Sequence, residues 1–589
     1  MGMTRRIWLG PLCALSALGM LHCSAAGDGN SSGGNGGSGN NGGNGSGANG
    51  GSAGFLSTGG TGAGGSGPAD CQGADQKTSS GCNYYAVVPD ITFDARGGCF
   101  AAFVVNPSND NIFIKVSYAG QSLDPNQFGY IPSGSGPSIQ YSKMTNSRIP
   151  AGEIAILFLN RFGASPLGLN TNCPAGVTPA ISTMDAAPHG TSIGSAFHFE
   201  TSAPVVAYDI YPYGGGQSAL TSATLLLPTT SWGDNYIGVS AFGNGLPIGS
   251  QPFLSVVAHQ DGTQITISPN VAIVGGNGVA PTGAGQPQTY SLNEGQVLQF
   301  TQGQALDGSV IQANAPIGVW GGMTTLSIGA CCAESAHQQI PPIRALGSEY
   351  VGVRYRNRYD GIEESPPWRL IGAADGTQLT WEPSTPPGAP TSLNLGQVAQ
   401  FNAPGPFVVR SQTEDYPFYM SAHMTGAAEF DPAQQEPPTG GDDGRGDAEF
   451  VNVVPPGEYL DRYVFFADPT YPETNLVVVR KKTAGEFFAD VTIDCAGALD
   501  GWRPIGTSGK YEYTYFDLVR HNFEGQKGCN TGRREIYSNE PFGLTVWGWG
   551  SGETGSQLSG FYSQYVSYAY PGGASVAPIN TVVVQPKPR

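Results

Sequence analysis

Short runs in which apolar and polar residues alternate recur along most of this chain. TQITI at Thr263–Ile267 and QVLQF at Gln296–Phe300 are typical. Alternation with period two, rich in Val, Ile, Thr and aromatic residues, predicts strands with one buried face. Gly, Pro, Asn and Asp bound the runs, and no long helical periodicity appears. Asp-Gly in DGTQITI predicts a tight hairpin, because a type I′ turn needs positive φ at both central residues. Asn-x-Gly in LNEGQV and LNLGQV predicts a second turn.

The strands repeat in blocks. DGTQ occurs at Asp261–Gln264 and at Asp375–Gln378, 114 residues apart. YSLNEGQVLQF (Tyr290–Phe300) follows the first copy and TSLNLGQVAQF (Thr391–Phe401) the second. A linking block carries Pro228, Pro342 and Pro456, again 114 apart, and then Tyr236, Tyr350 and Tyr463. A further pattern closes each block: APVVAYDIY from Ala203, APIGVWGG from Ala315, YPFYMSAH from Tyr416 and EPFGLTVWGW from Glu540. These spacings predict four units of about 114 residues, at 71–228, 229–342, 343–456 and 457–575, with a tail at 576–589. The outer two are divergent, as capping units of an array are. Each unit holds seven or eight short strands, the content of an Ig-like β-sandwich. The expected fold is all-β, in tandem sandwiches. The alternative splits each unit into two four-stranded blades and closes a β-propeller. Trp320, Trp381, Trp547 and Trp549 fall inside strands and are expected in the core.

The N-terminus changes the setting. MGMTRR precedes an apolar run at Ile7–Leu21, too short for a comfortable membrane span and suited to a signal peptide over residues 1–26. MLHC is a degenerate lipobox that would place a lipid on Cys23; cleavage after Ala26 is the other route. Residues 27–70 are a Gly/Asn/Ser-rich stretch with 20 Gly between 27 and 68, a composition that cannot bury a core and reads as a flexible tether. The body is therefore expected outside the cytoplasm, at the outer membrane or cell surface as a lipoprotein, or else secreted. Eight further cysteines are disulfide candidates: Cys71, Cys82, Cys99, Cys173, Cys331, Cys332, Cys495 and Cys529. Proximity pairs Cys495 with Cys529 and keeps Cys71, Cys82, Cys99 and Cys173 among themselves. Neighbouring Cys331 and Cys332 are expected to reach different partners. The formal net charge is −18 with only 27 Lys and Arg, which argues against a nucleic-acid partner.

Catalytic motifs are scarce. There is no H-E-x-x-H, and His189, His198, His259, His337, His423 and His521 are scattered. Two stretches suit binding. RYRNRYDGIEES puts Arg354, Arg356 and Arg358 on one face of a strand with Tyr355 and Tyr359, a set that stacks on sugars or meets anions. The competing reading is a hairpin whose arginines pair with Asp360, Glu363 and Glu364. GGDDGRGDAEF gathers Asp442, Asp443, Asp447 and Glu449 as oxygen ligands for weak Ca²⁺ binding in an acidic loop. It also spells Arg445–Gly446–Asp447, the tripeptide that integrins recognise. The competing reading is a plain solvated loop. No other cofactor is expected.

SAFHFETSAPVVAYDIY followed by SATLLLPTTSWGDNYIG resembles the N-terminal domain of the IgGFc-binding protein family, and so does APIGVWGG followed by Cys331–Cys332 and AHQQIPPIRALGSEYVGV. The resemblance covers most of residues 190–470. Bacterial lipoproteins with a similar tether and domain also look alike. The resemblance implies binding of immunoglobulin Fc or mucus components without catalysis, and it transfers no binding residue. The expectation is a non-catalytic surface protein that binds a protein or glycan outside the cell and touches a membrane only through its lipid. A secreted hydrolase and a structural envelope protein are the alternatives.

Overall fold

The computed structural model describes residues 71, 77–91, 96–164, 171–214, 218, 220–241, 249–329, 333–359, 361–427, 444–554 and 563–588. Cys23, the tether, Cys331, Cys332, Asp360, Asp442 and Asp443 lie outside them. Strand makes up 49% of the described residues and helix 4%, so the all-β expectation holds.

Four sets of strands, or units, each built around one long strand, carry the fold; the second shows how the alternating runs are used. Its strands are Gly233–Ile237, Pro252–Ala258, Thr263–Ser268, Gln288–Leu292, Gln296–Thr301, a long strand Val310–Leu326, and a closing strand Glu334–Ile340. The first half of the long strand pairs with Gly233–Ile237 and Thr263–Ser268. Its second half pairs with Pro252–Ala258 and Glu334–Ile340. One strand thus serves two layers, and the sheet curls over its own core. The change of partner falls near Pro316, where a missing N–H suits a break in the ladder.

The same pairings recur. In the first unit the long strand Phe197–Tyr211 takes Ser80–Ala86 and Ile112–Tyr118, then Phe100–Val105 and the closing strand Ser222–Leu226. In the fourth, Gly532–Ser551 takes Leu460–Ala467 and Val491–Ile493, then Glu473–Lys481 and the closing strand Ser563–Pro571. In the third, the long strand is divided into Phe407–Arg410 and Phe418–Met424, so the two layers appear as separate sheets; Glu449–Asn452 closes it. The curled sheets of the first, second and fourth units hold ten, eight and nine strands, the eight including Ser192–Ser195 from the first unit's residues; no pairs of four-stranded blades, and so no propeller, are seen among the described residues.

The recurring Tyr and Pro of the sequence meet in space. Tyr236 Oη accepts from the Gly233 N–H at 2.9 Å and donates to the carbonyl of Ile317 at 2.7 Å. Tyr350 does the same between Gly347 (3.0 Å) and Phe418 (2.6 Å), and Tyr463 between Leu460 and Phe542. Tyr84 donates to Val205 at 2.6 Å. Each acceptor follows the conspicuous Pro of its block (Pro204, Pro316, Pro417, Pro541), and all four tyrosines are buried. This bridge pins the start of each unit to the bend of its long strand.

The repeated DGTQ is a turn, but not a hairpin. Pro252–Ala258 and Thr263–Ser268 pair with other strands instead of each other, so the turn crosses between layers. Only Gly262, at φ +70°, takes positive φ; Asp261 does not, which excludes type I′. Asp261 Oδ1 accepts from the Glu294 N–H at 3.0 Å, and Asn293 Oδ1 from the Gly262 N–H at 3.3 Å. Asp375 with Leu395 and Asn394 with Gly376 repeat both bonds at 3.0 and 3.2 Å. DGTQ and LNxGQ recur together because each turn caps the other.

The units share cores. Phe103 of the first packs on Phe466 of the fourth, with ring centroids 4.7 Å apart, and Tyr208 packs on Tyr570 at 4.4 Å. Trp547 and Trp549 of the fourth join the core of the third through Tyr355. Trp320 is also buried, whereas Trp381 is half-buried. The tail is bound. Ala577 N–H donates to Glu458, Asn580 Nδ2 to Ile343 and Leu346, and Asn235 exchanges two bonds with Val584. The tail therefore straps the fourth, third and second units. Disulfides Cys71–Cys82, Cys99–Cys173 and Cys495–Cys529 fit the expected grouping.

Tyr350→Phe removes one hydroxyl and leaves the Gly347 N–H and Phe418 carbonyl buried without it. The expected loss is about 1–3 kcal/mol, read as a lower urea midpoint at unchanged slope.

Candidate functional site

The closing strands carry the polar residues that a strand pattern alone would place outside. ESAHQQI (Glu334–Ile340) is buried at every position. The reason is that the four closing strands pack around one another. Ser222–Leu226 and Glu449–Asn452 each lie against both Glu334–Ile340 and Ser563–Pro571. Gln338 stands where they meet, its Nε2 at 2.8, 3.1 and 3.2 Å from the carbonyls of Ala223, Phe450 and Ala569 on the other three strands. Gln339 Oε1 accepts from Leu227 N–H at 2.7 Å, and its carbonyl from Asn452 Nδ2 at 2.8 Å.

A circuit of bonds closes the end from which the closing strands start. Ser335 N–H donates to Leu220 at 3.0 Å and Gly426 N–H to Ile328 at 2.7 Å. Tyr565 N–H donates to Gly444 at 2.8 Å, and Thr221 Oγ1 to the Ser567 carbonyl at 2.8 Å. Each bond joins a different pair of neighbouring units. The connections between long and closing strands all leave from this end.

The two stretches singled out in the sequence come together here. Arg354–Arg358 is not a strand, and its arginines turn inward: 5%, 8% and 0% of Arg354, Arg356 and Arg358 is exposed. The surface-face expectation is corrected on that point, because their partners are buried acids and carbonyls. Arg354 donates to the carbonyls of Pro404 and Tyr355. Arg356 pairs with Glu473 and Asp517 and lies 4.8 Å from the Trp549 ring centre. Arg358 pairs with Glu364 at 2.9 Å, as the competing reading expected, and donates to the carbonyl of Arg445 at 2.9 Å. Tyr355 Oη donates to Glu364 at 2.5 Å, and Tyr359 stacks under Arg445 at 5.0 Å.

Arg445, Gly446 and Asp447 are correspondingly no exposed tripeptide. Arg445 is 7% exposed and pairs with Glu473 at 2.8 Å and Glu553 at 2.6 Å; Asp447 is 1% exposed. Asp447 and Glu449 therefore do not form the open acidic loop that the sequence suggested. Glu449 Oε1 accepts from Ser222 Oγ at 3.1 Å and the Phe450 N–H at 2.8 Å. Among the described residues no three His, Cys, Asp or Glu side chains gather to hold a metal. Glu334, Gln338 and Glu473 were not singled out from the sequence. The one local sign was a run of hydrogen-bonding residues inside a strand-length segment at Glu334–Gln339.

Histidine geometry here is that of clasps. His189 sits between Asp90 at 2.9 Å and Asp185 at 2.8 Å, so both ring nitrogens are taken. Asp90 also accepts from Thr301 Oγ1 at 2.9 Å, which ties the first unit to the second. Burial pushes the His189 imidazole down, but the two carboxylates outweigh it and hold it at about 9. His337 Nε2 bonds Asp209 at 2.6 Å in the interior. His423 is pushed down to about 3 by burial and by the nearby Arg369.

Two outcomes follow. The His189 contribution to stability is fully present below about pH 6.5 and is lost as pH rises through about 9; His189→Gln removes that slope from a plot of melting temperature against pH. Glu473→Ala leaves Arg356 to Asp517 alone and Arg445 to Glu553 alone, and costs about 3 kcal/mol, measured by urea unfolding.

The family model described as IgGFc binding protein matches residues 222–548. The match begins with the first closing strand and ends within the last long strand. Neither the curated proteins nor the solved structures contain a match. More than half of the chain is covered, so the chain belongs to the IgGFc binding protein family.

Proposed function

We propose that this chain is a non-catalytic surface protein whose four-unit body binds an extracellular protein or a glycan. Membership of a binding family across residues 222–548 carries the reading. Three disulfides support an extracellular setting, and no described helix is long and apolar enough to cross a membrane. In this reading Cys23 takes the lipid, and the Gly/Asn/Ser tether holds the body away from the outer membrane. Four repeated units on one tether favour several weak contacts made at once, since linked contacts gain avidity.

The test uses the soluble body, residues 71–589, against immobilised immunoglobulin Fc, mucin, and bacterial and plant polysaccharides. Saturable binding to one class is the expected result and names the partner. Silence from folded, monomeric protein across all of them contradicts the reading.

A further inference from the structure

The strongest unused feature of the fold is a set of carboxyl groups buried where the closing strands meet. Glu334 and Glu449 are both 0% exposed. Among the described residues no donor reaches either oxygen of Glu334 in hydrogen-bond geometry. Glu449 is better served: Oε1 accepts from Ser222 and Phe450, and the backbone of Ala223 and Ala569 also favours its ionisation, while Oε2 has no partner among the described residues. The backbone of Thr221 is near enough only to favour ionisation of Glu334 slightly. The groups facing Glu334 make matters worse for a charge: Asp447 and Glu449 from the third unit, and Tyr471 from the fourth. The nearby cation, Arg358, is paired with Glu364 and also faces Asp447. His337, on the same strand as Glu334, bonds Asp209 of the long strand Phe197–Tyr211.

An ionised Glu334 would be a buried charge without donors beside the like charges of Asp447 and Glu449, an arrangement proteins avoid by neutralising the group. Holding one glutamic acid protonated at pH 7 is much cheaper, about a 300-fold bias against its ordinary ionisation. A protonated carboxyl also becomes a donor, and its neighbours Asp447 and Glu449 are acceptors.

We propose that the four units close around their common strands only while Glu334 and Glu449 carry protons, so the body is built to loosen as its surroundings turn alkaline. Burial lifts both carboxyl groups well above the ordinary range, and Asp447 and Glu449 lift Glu334 further. Groups raised in this way favour the folded state most below the unfolded value near 4.5 and lose that advantage as pH rises.

The experiment measures urea midpoints of residues 71–589 from pH 5 to pH 9.5, for wild type, Glu334→Gln and Glu449→Gln, each in EDTA and in excess Ca²⁺. A neutral amide keeps the shape and cannot ionise. At pH 5 the three proteins match. As pH rises above 5 each variant becomes more stable than wild type, and the gap in the folding equilibrium constant widens by up to tenfold per pH unit. Parallel curves overturn the proposal. So does a Ca²⁺-dependent rise of wild type that Glu334→Gln abolishes, which assigns the carboxyls to a cation. If a variant fails to fold, wild type alone decides: unfolding at pH 7 releases protons to the buffer, and no release overturns the proposal.

Discussion

Polar side chains on buried strands are the constraint from which the architecture follows. An unpaired buried amide costs about 1–3 kcal/mol, and Gln338 finds its acceptors only on the closing strands of the first, third and fourth units. Gln339 likewise draws on Leu227 of the first unit and Asn452 of the third. No unit can satisfy these groups by itself. The same strands that complete each curled sheet therefore also oblige the four units to assemble. The shared apolar cores at Phe103–Phe466 and around Tyr355 and Trp547 reinforce a closure that the hydrogen bonds specify.

Much of this was legible one unit at a time. Period-two alternation marked the strands, and the spacing of Pro228, Pro342 and Pro456 marked the repeat. The meaning of the recurring Tyr was not legible, because Tyr236 reaches an acceptor 81 residues away. DGTQ misled for a physical reason. Asp-Gly is a strong local hairpin cue, but here the Asp side chain caps a second turn, and the strands on either side belong to different layers. The tail at 576–589 carried no strand pattern, yet Asn580 and Val584 bind specific backbone groups far back in the chain.

The candidate site shows the same limit. Arg356, Arg358 and Arg445 looked like surface groups because local spacing shows charge without showing its partners. Glu473 lies 117 residues from Arg356 and 28 from Arg445. The pairing of Arg358 with Glu364 was within reach, since those residues are six apart. Family membership could be anticipated from ordered blocks of sequence and is borne out by the match over residues 222–548. Membership places the chain among binding proteins; the ligand of this body is a matter for the binding experiment.

Differential scanning calorimetry of residues 71–589, with disulfides intact, tests the central claim most directly. Four units that need one another to satisfy their closing strands unfold together, in one transition whose calorimetric and van't Hoff enthalpies agree. Separable beads on a string would instead give a calorimetric enthalpy several times the van't Hoff value, or several resolved transitions, and that result would contradict the mutual dependence of the units.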